Sequence, residues 1–118
     1  MEVFETVDAF RAACTAAKRP LGLVPTMGAL HAGHRSLLDR ARSDDSTLAA
    51  TIFVNPTQFG PSEDFSEYPR DRKSDLAMME ETGVDLLFTP SVDEVYPDGF
   101  DTSIDVGRIA RRLEGEHR

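Results

Sequence analysis

The sequence predicts an α/β domain built on a parallel sheet flanked by helices. Three observations carry that expectation. Leu21–Val24, Thr47–Val54 and Val84–Thr89 are short apolar runs rich in branched or aromatic side chains, as expected of strands covered on both faces. The segments between them carry apolar residues at helical spacing. Prolines and glycines, notably Pro25, Gly83 and Pro90, punctuate the boundaries. Strands alternating with helices of this length are βαβ units, with right-handed crossovers and ligands gathered at the carboxyl ends of the strands.

Composition narrows the function classes. The 118 residues are 40% hydrophobic and 29% charged, as in one globular unit with a single core. Acidic side chains outnumber basic ones 21 to 13, a formal net charge of -8, which argues against a nucleic-acid partner held through phosphate neutralisation. A small anionic ligand remains compatible, because local donors set a pocket's potential. No run approaches the roughly 18 apolar residues of a membrane span, and no signal-peptide pattern opens the chain, so no membrane partner is expected. The single cysteine, Cys14, fits a reducing cytoplasm and reads as a small core hydrophobe.

Taken in order, Thr6 caps a first helix, with Asp8 favourable beside the positive end of its dipole. Val7, Phe10, Cys14 and Ala17 form its apolar face, and Pro20 stops it near Lys18–Arg19. The strand Leu21–Val24 ends at Pro25, which has no N–H to give. A turn follows, where Gly28 and Gly33 permit unusual backbone geometry or close approach. The next helix has Leu37, Leu38 and Ala41 inside and Arg35, Asp39 and Arg42 outside. Ser43–Ser46 connects it to the strand Thr47–Val54, and Gly60–Pro69 is a loop. Asp71 caps a helix with Leu76 and Met79 on its apolar face, in which the acidic pair Glu80 and Glu81 near the end is mildly unfavourable, and Gly83 suits its C′ position. Val84–Thr89 is the third strand, Tyr96–Gly99 a turn, Thr102–Val106 a weak edge strand, and Arg108–Leu113 the start of one more helix.

The chemistry concentrates in Leu21-Gly-Leu-Val-Pro-Thr-Met-Gly-Ala-Leu-His-Ala-Gly-His34. This is a strand, a tight turn and a helix start carrying His31 and His34. Free N–H groups and the dipole make such a helix start an anion site, and imidazoles there can stabilise charge developing at a phosphorus. Two histidines three apart otherwise simply share a helix face. No further His or Cys supports a metal site. Asn55 and Gln58, after the second strand, offer neutral amides that can orient a polar substrate, although an Asn-Pro turn is also common in loops.

Val24-Pro-Thr-Met-Gly-Ala-Leu-His-Ala-Gly-His34, Ile52-Phe-Val-Asn-Pro-Thr-Gln-Phe-Gly60 and Tyr68-Pro-Arg70 together resemble the pantoate–β-alanine ligase family. Gly83-Val-Asp85, Tyr96-Pro97 and Leu113-Glu-Gly115 extend the likeness over nearly the whole chain. The His-x-Gly-His element alone marks only a wider nucleotidyltransferase superfamily with a Rossmann-like fold. The Asn-Pro-x-Gln-Phe element narrows the likeness to the ligase.

The resemblance implies formation of pantothenate from pantoate, β-alanine and ATP through a pantoyl adenylate. ATP would arrive with Mg2+ as a substrate complex. By the same implication Met27, Gly28, Ala29, Leu30, His31, Ala32, Gly33 and His34 line the ATP site. His34 is the proton donor and His31 a phosphate holder. Pro25, Thr26, Met27, Asn55 and Gln58 contact pantoate, with Gln58 also meeting β-alanine. The family forms homodimers.

Family members also carry a Gly-x-Lys-Asp motif, a Met-Ser-x-Arg segment and a smaller C-terminal domain. None of these occurs in the 118 residues. The expectation is therefore the N-terminal part of the ATP- and pantoate-binding domain, about its first half. It would expose the edge of its motif strand and be inactive, or nearly so, alone. Two other readings are a different nucleotidyltransferase of the same superfamily and a non-catalytic nucleotide-binding module.

Overall fold

The computed structural model describes residues 1–116. Four strands form one parallel sheet: β1 (Glu2–Phe4), β2 (Leu21–Thr26), β3 (Thr47–Ile52) and β4 (Leu86–Phe88), in the order β1-β4-β3-β2. The helices are α1 (Val7–Ala16), α2 (Ala32–Asp44), α3 (Arg72–Glu81) and the single turn α4 (Val92–Val95).

Side-chain alternation along the strands divides the helices between two faces. Val24, Leu48, Ala50 and Leu87 point to one face and form the core with Leu38 of α2 and Met79 of α3. Phe88 points to the other, where Phe10 of α1 stacks on it at 4.8 Å between centroids. The expected parallel sheet flanked by helices is thus present. Among the described residues, no helix is long and apolar enough to cross a membrane.

Several local expectations hold for the reasons given. Thr6 Oγ1 accepts from the Ala9 amide, and Asp71 Oδ1 accepts from the Ser74 amide. At the end of α3, Gly83 adopts φ +84°. There Val84 N–H donates to Met79 O at 3.0 Å and Gly83 N–H to Glu80 O at 3.1 Å, a Schellman closure. Arg35 reaches Glu81 at 3.1 Å, a local counterion for the acidic end of α3. Burial raises the Cys14 thiol above its ordinary value, with Arg19 opposing. That agrees with an unreactive side chain.

Other expectations need correction. β2 continues through Pro25 to Thr26. Because Thr26 O accepts from Phe53 N–H on the β3 side, the missing N–H of Pro25 faces the open edge and interrupts no ladder bond. Nor is β2 covered on both faces: Val24 is buried, but Leu23 is 54% exposed, since α1 covers the β4 end of that face. The same edge position leaves Leu37 exposed. Arg42, expected in solvent, is half-buried: it bonds Asp85 Oδ2 at 2.7 Å and the carbonyls of Gly83, Asp45 and Ser46. Thus α2, β3 and the entry to β4 are tied together.

Helix α1 ends at Ala16 rather than at Lys18–Arg19. The second and third predicted strands are shorter than expected, at Thr47–Ile52 and Leu86–Phe88. Thr102–Val106 forms no strand among the described residues, and Ile104 stands in solvent with no neighbour to pair its backbone. Gly107–Arg111 makes 3₁₀ turns instead of an α-helix. β1 and α4 were not anticipated. β1 pairs with β4 through Glu2–Leu86, Val3–Leu87 and Phe4–Phe88. α4 is capped by Ser91, and its Glu94 accepts from the Val7 amide at 2.7 Å.

Candidate functional site

The site forms where β2 and β3 end. Thr26 begins the turn: its hydroxyl donates to Thr51 O at 2.7 Å and accepts from Gly28 N–H at 3.2 Å. Gly28 and Ala29 then adopt left-handed geometry, with φ +78° and +51°. A β-carbon on Gly28 would lie 2.9 Å from Asp75 Oδ2 and 3.2 Å from Ile52 Cγ2, so glycine is required there for space as well as for dihedral angle.

At the start of α2 both imidazoles accept from backbone amides. His31 Nδ1 accepts from Gly33 N–H at 3.1 Å, and His34 Nδ1 accepts from His31 N–H at 3.2 Å. The rings lie 4.0 Å apart. A neutral imidazole that accepts at Nδ1 carries its proton on Nε2. Both rings are therefore set to donate through Nε2–H.

The helix start does not offer an open row of amides, as first expected. Those of Gly28, Ala29, Leu30, His31 and Gly33 bond to side chains within the protein. The amide of Ala32 has no acceptor among the described residues. An anion here would meet the imidazoles and this one amide.

A cavity of about 400 Å³ is lined by Pro25, Thr26, Met27, Asn55 and Gln58 together with His34. Thr51, Phe53 and Tyr68 complete its wall. All five residues expected to contact pantoate thus share one cavity with one of the two histidines. Gly28 to Gly33 lie outside its lining, in the turn and helix start beside it. A second cavity of about 320 Å³ shares the Met27 and Phe53 walls and extends toward Asp75 and Thr89.

Asn55 is held by three donors to one oxygen. Its Oδ1 accepts from Thr57 N–H at 3.0 Å, Thr57 Oγ1–H at 2.7 Å and Tyr96 O–H at 3.0 Å. With the oxygen saturated, the amide group left to a ligand is the NH₂ donor. The Thr26 hydroxyl proton is committed to Thr51, so Thr26 offers a ligand only acceptor or methyl contacts. Arg70 lines the second cavity and not the one that holds Asn55 and Gln58. It bonds the carbonyls of Phe65, Ser66 and Tyr68 and lies over the Phe65 ring, pinning the loop that carries Tyr68.

Sequence reading missed Asp75 and Thr51, and it noted Tyr96 only in a turn and in the family likeness, not as a partner of Asn55. For Asp75 the signal was available: it lies four residues before Met79 and so shares that residue's inward face. Thr51 and Tyr96 act across strands and loops and gave no local sign. Among the described residues, no three His, Cys, Asp or Glu side chains converge as a metal site.

Burial, chiefly, and the neighbouring His31 lower the His34 pKa from its ordinary value, with Asp75 pulling the other way. His34 is therefore neutral at pH 7. Its contribution to stability is complete above the unfolded value of about 6.5 and is lost as pH falls through the lowered folded value. An NMR titration of the ring is expected to give a midpoint below that of a histidine in the unfolded chain. An equal or higher midpoint would contradict this environment.

The pantoate-beta-alanine ligase family model matches residues 2–118. The chain belongs to the pantoate–β-alanine ligase family. Pantothenate synthetases of Gluconobacter oxydans and Roseiflexus castenholzii are 55% and 56% identical to it over 118 residues. The match covers 100% of the chain and 42% of each of those relatives, so the chain spans less than half their length. The crystal structure of pantothenate synthetase from Thermus thermophilus superposes with a TM-score of 0.91 at 48% identity, covering all of this chain and 42% of that one. A Francisella tularensis pantoate-beta-alanine ligase, crystallised with beta-gamma ATP and beta-alanine, has a TM-score of 0.90 at 38% identity. It is covered over 46% of its length, against 100% of this chain. The fold is that of the family's N-terminal portion.

Proposed function

We propose that residues 1–118 form the N-terminal part of the ATP- and pantoate-binding domain of a pantoate–β-alanine ligase. The observation that carries this reading is the single cavity joining Pro25, Thr26, Met27, Asn55, Gln58 and His34. In the reaction, a pantoate carboxylate oxygen attacks the α-phosphorus of ATP. The new O–P bond forms as the α–β bridging bond breaks and pyrophosphate leaves. The β-alanine amine then attacks the acyl carbon, AMP departs, and the amine loses a proton to give pantothenate.

The roles follow from the donors available. Asn55 NH₂ and the Gln58 amide orient pantoate, and Gln58 also meets β-alanine. Pro25, Thr26 and Met27 form the wall against its carbon skeleton. The phosphates lie along Met27–His34, where His34 Nε2–H donates to the charge developing on them and His31 Nε2–H assists. No protein nucleophile is needed, because activation of a carboxylate depends on positioning and charge stabilisation. Mg2+ would enter with ATP as part of the substrate complex, where it would help neutralise the phosphate charge.

The matched relatives are more than twice as long, and the isolated 118 residues are expected to bind both ligands and to be inactive, or nearly so, in turnover. A cytoplasmic setting and a homodimer complete the reading. Light scattering tests the dimer.

Calorimetry with ATP and pantoate tests the site. The chain is expected to bind both. Asn55→Ala is expected to weaken pantoate about tenfold, the effect of one lost oriented hydrogen bond, with ATP affinity unchanged. Absence of pantoate binding, or equal loss for both ligands, would refute the assigned roles.

A further inference from the structure

We propose that Asp75 is the positioning residue of this site: its carboxylate clamps the Ala29–Leu30 backbone and so fixes where α2 and His34 begin. The proposal deepens the ligase reading and rests on it for the identity of the nucleotide. Asp75 belongs to α3, 46 positions from Ala29, and is only 3% exposed. Its Oδ2 accepts from Ala29 N–H at 3.0 Å and its Oδ1 from Leu30 N–H at 2.9 Å. One carboxylate thus fills two successive backbone donors.

Three further observations give that clamp a purpose. Ala29 is left-handed without being glycine, a conformation disfavoured by its β-carbon unless something holds it. The clearance at Gly28 leaves no room for a side chain between turn and carboxylate. No cation lies within ion-pair distance of Asp75 among the described residues. A buried carboxylate without a cation is costly to retain, and an apolar side chain would serve better if α3 needed only packing. The carboxylate also takes up the Ala29 and Leu30 amide donors, so neither is free for a ligand. It places negative charge near His34, where it offsets the effects of burial and of His31.

The test is Asp75→Asn in the 118-residue chain. It retains shape but removes the charge and one acceptor. Three readouts are compared with wild type: amide exchange, the His34 ring titration, and calorimetry with ATP. Ala29 and Leu30 amides are expected to exchange on the order of tenfold faster, with Leu48 and Leu87 unchanged. The His34 midpoint is expected to fall below the wild-type value. ATP affinity is expected to drop roughly tenfold, as the competent turn becomes a minor conformer.

Adding Ala29→Gly separates geometry from charge, because glycine enters positive φ unaided. The double variant is expected to regain most of the ATP affinity while the His34 midpoint stays low. An unchanged midpoint and affinity in Asp75→Asn would overturn the proposal. If Asp75→Asn does not fold, the double variant carries the same readouts; failure of both to fold would assign Asp75 to the core and overturn it. Wild-type protein that binds no ATP sinks the ligase reading instead, and the exchange and His34 readouts still decide the role of Asp75.

Discussion

Replacing His34 with alanine is expected to slow pantoate-dependent pyrophosphate release from ATP by about 10²–10³-fold, the usual effect of removing one preorganised donor from developing charge. The measurement is made under single-turnover conditions, which resolve the residual adenylylation of a nearly inactive chain. His34→Ala also removes the acceptor for the His31 amide, so a lost rate alone could reflect a frayed helix start. His34→Gln separates the two effects. A glutamine at this position can reach back to the same amide, as in an ordinary capping box, without the imidazole donor. It is expected to keep near-wild-type stability and still lose most of the rate. Full activity in His34→Gln would show that only the cap matters.

Leu38→Ala is expected to give the largest loss of stability, about 2–5 kcal/mol. Leu38 is fully buried and packs α2 into the core with Leu48, Met79 and Leu87. The same packing seats the helix that carries His34, so the site and the core share one anchor. Denaturant titration is the measurement, and a loss below about 1 kcal/mol would mean that the cavity collapses with little cost. Leu37, its neighbour, is 58% exposed. Leu37→Ala should therefore have little effect.

The contrast between these two leucines shows what the sequence could and could not reveal. Helical spacing placed both on one apolar face. Whether a neighbouring strand covers that face depends on the sheet order, which periodicity does not contain. β2 lies at the edge, so Leu23 and Leu37 stand in solvent while Leu38 is enclosed. β1 escaped notice because three residues next to the chain start are too few to show alternation. Thr102–Val106 had the alternation of a strand but pairs with none among the described residues.

The site was legible wherever its chemistry is local. The turn from Pro25 to Gly28, the histidines at the start of α2 and the amides of Asn55 and Gln58 could all be named from adjacent residues. What escaped was the support supplied from a distance. Asp75 holds Ala29 and Leu30 from α3, and Tyr96 fixes the Asn55 oxygen from 41 positions away. These contacts also changed the chemistry expected of the helix start. The turn amides are spent on Asp75, Thr26 and the histidine rings, so the donors left for a nucleotide are chiefly imidazole Nε2–H groups.

The most direct test of the central assignment is pyrophosphate release from ATP measured with pantoate, with other hydroxy acids, and with CTP in place of ATP. Release is expected only with pantoate and ATP together, and it should disappear in the Asn55→Ala/Gln58→Ala double variant. Release with an unrelated acceptor or with CTP, or ATP binding that pantoate neither requires nor alters and that leads to no release, would contradict it.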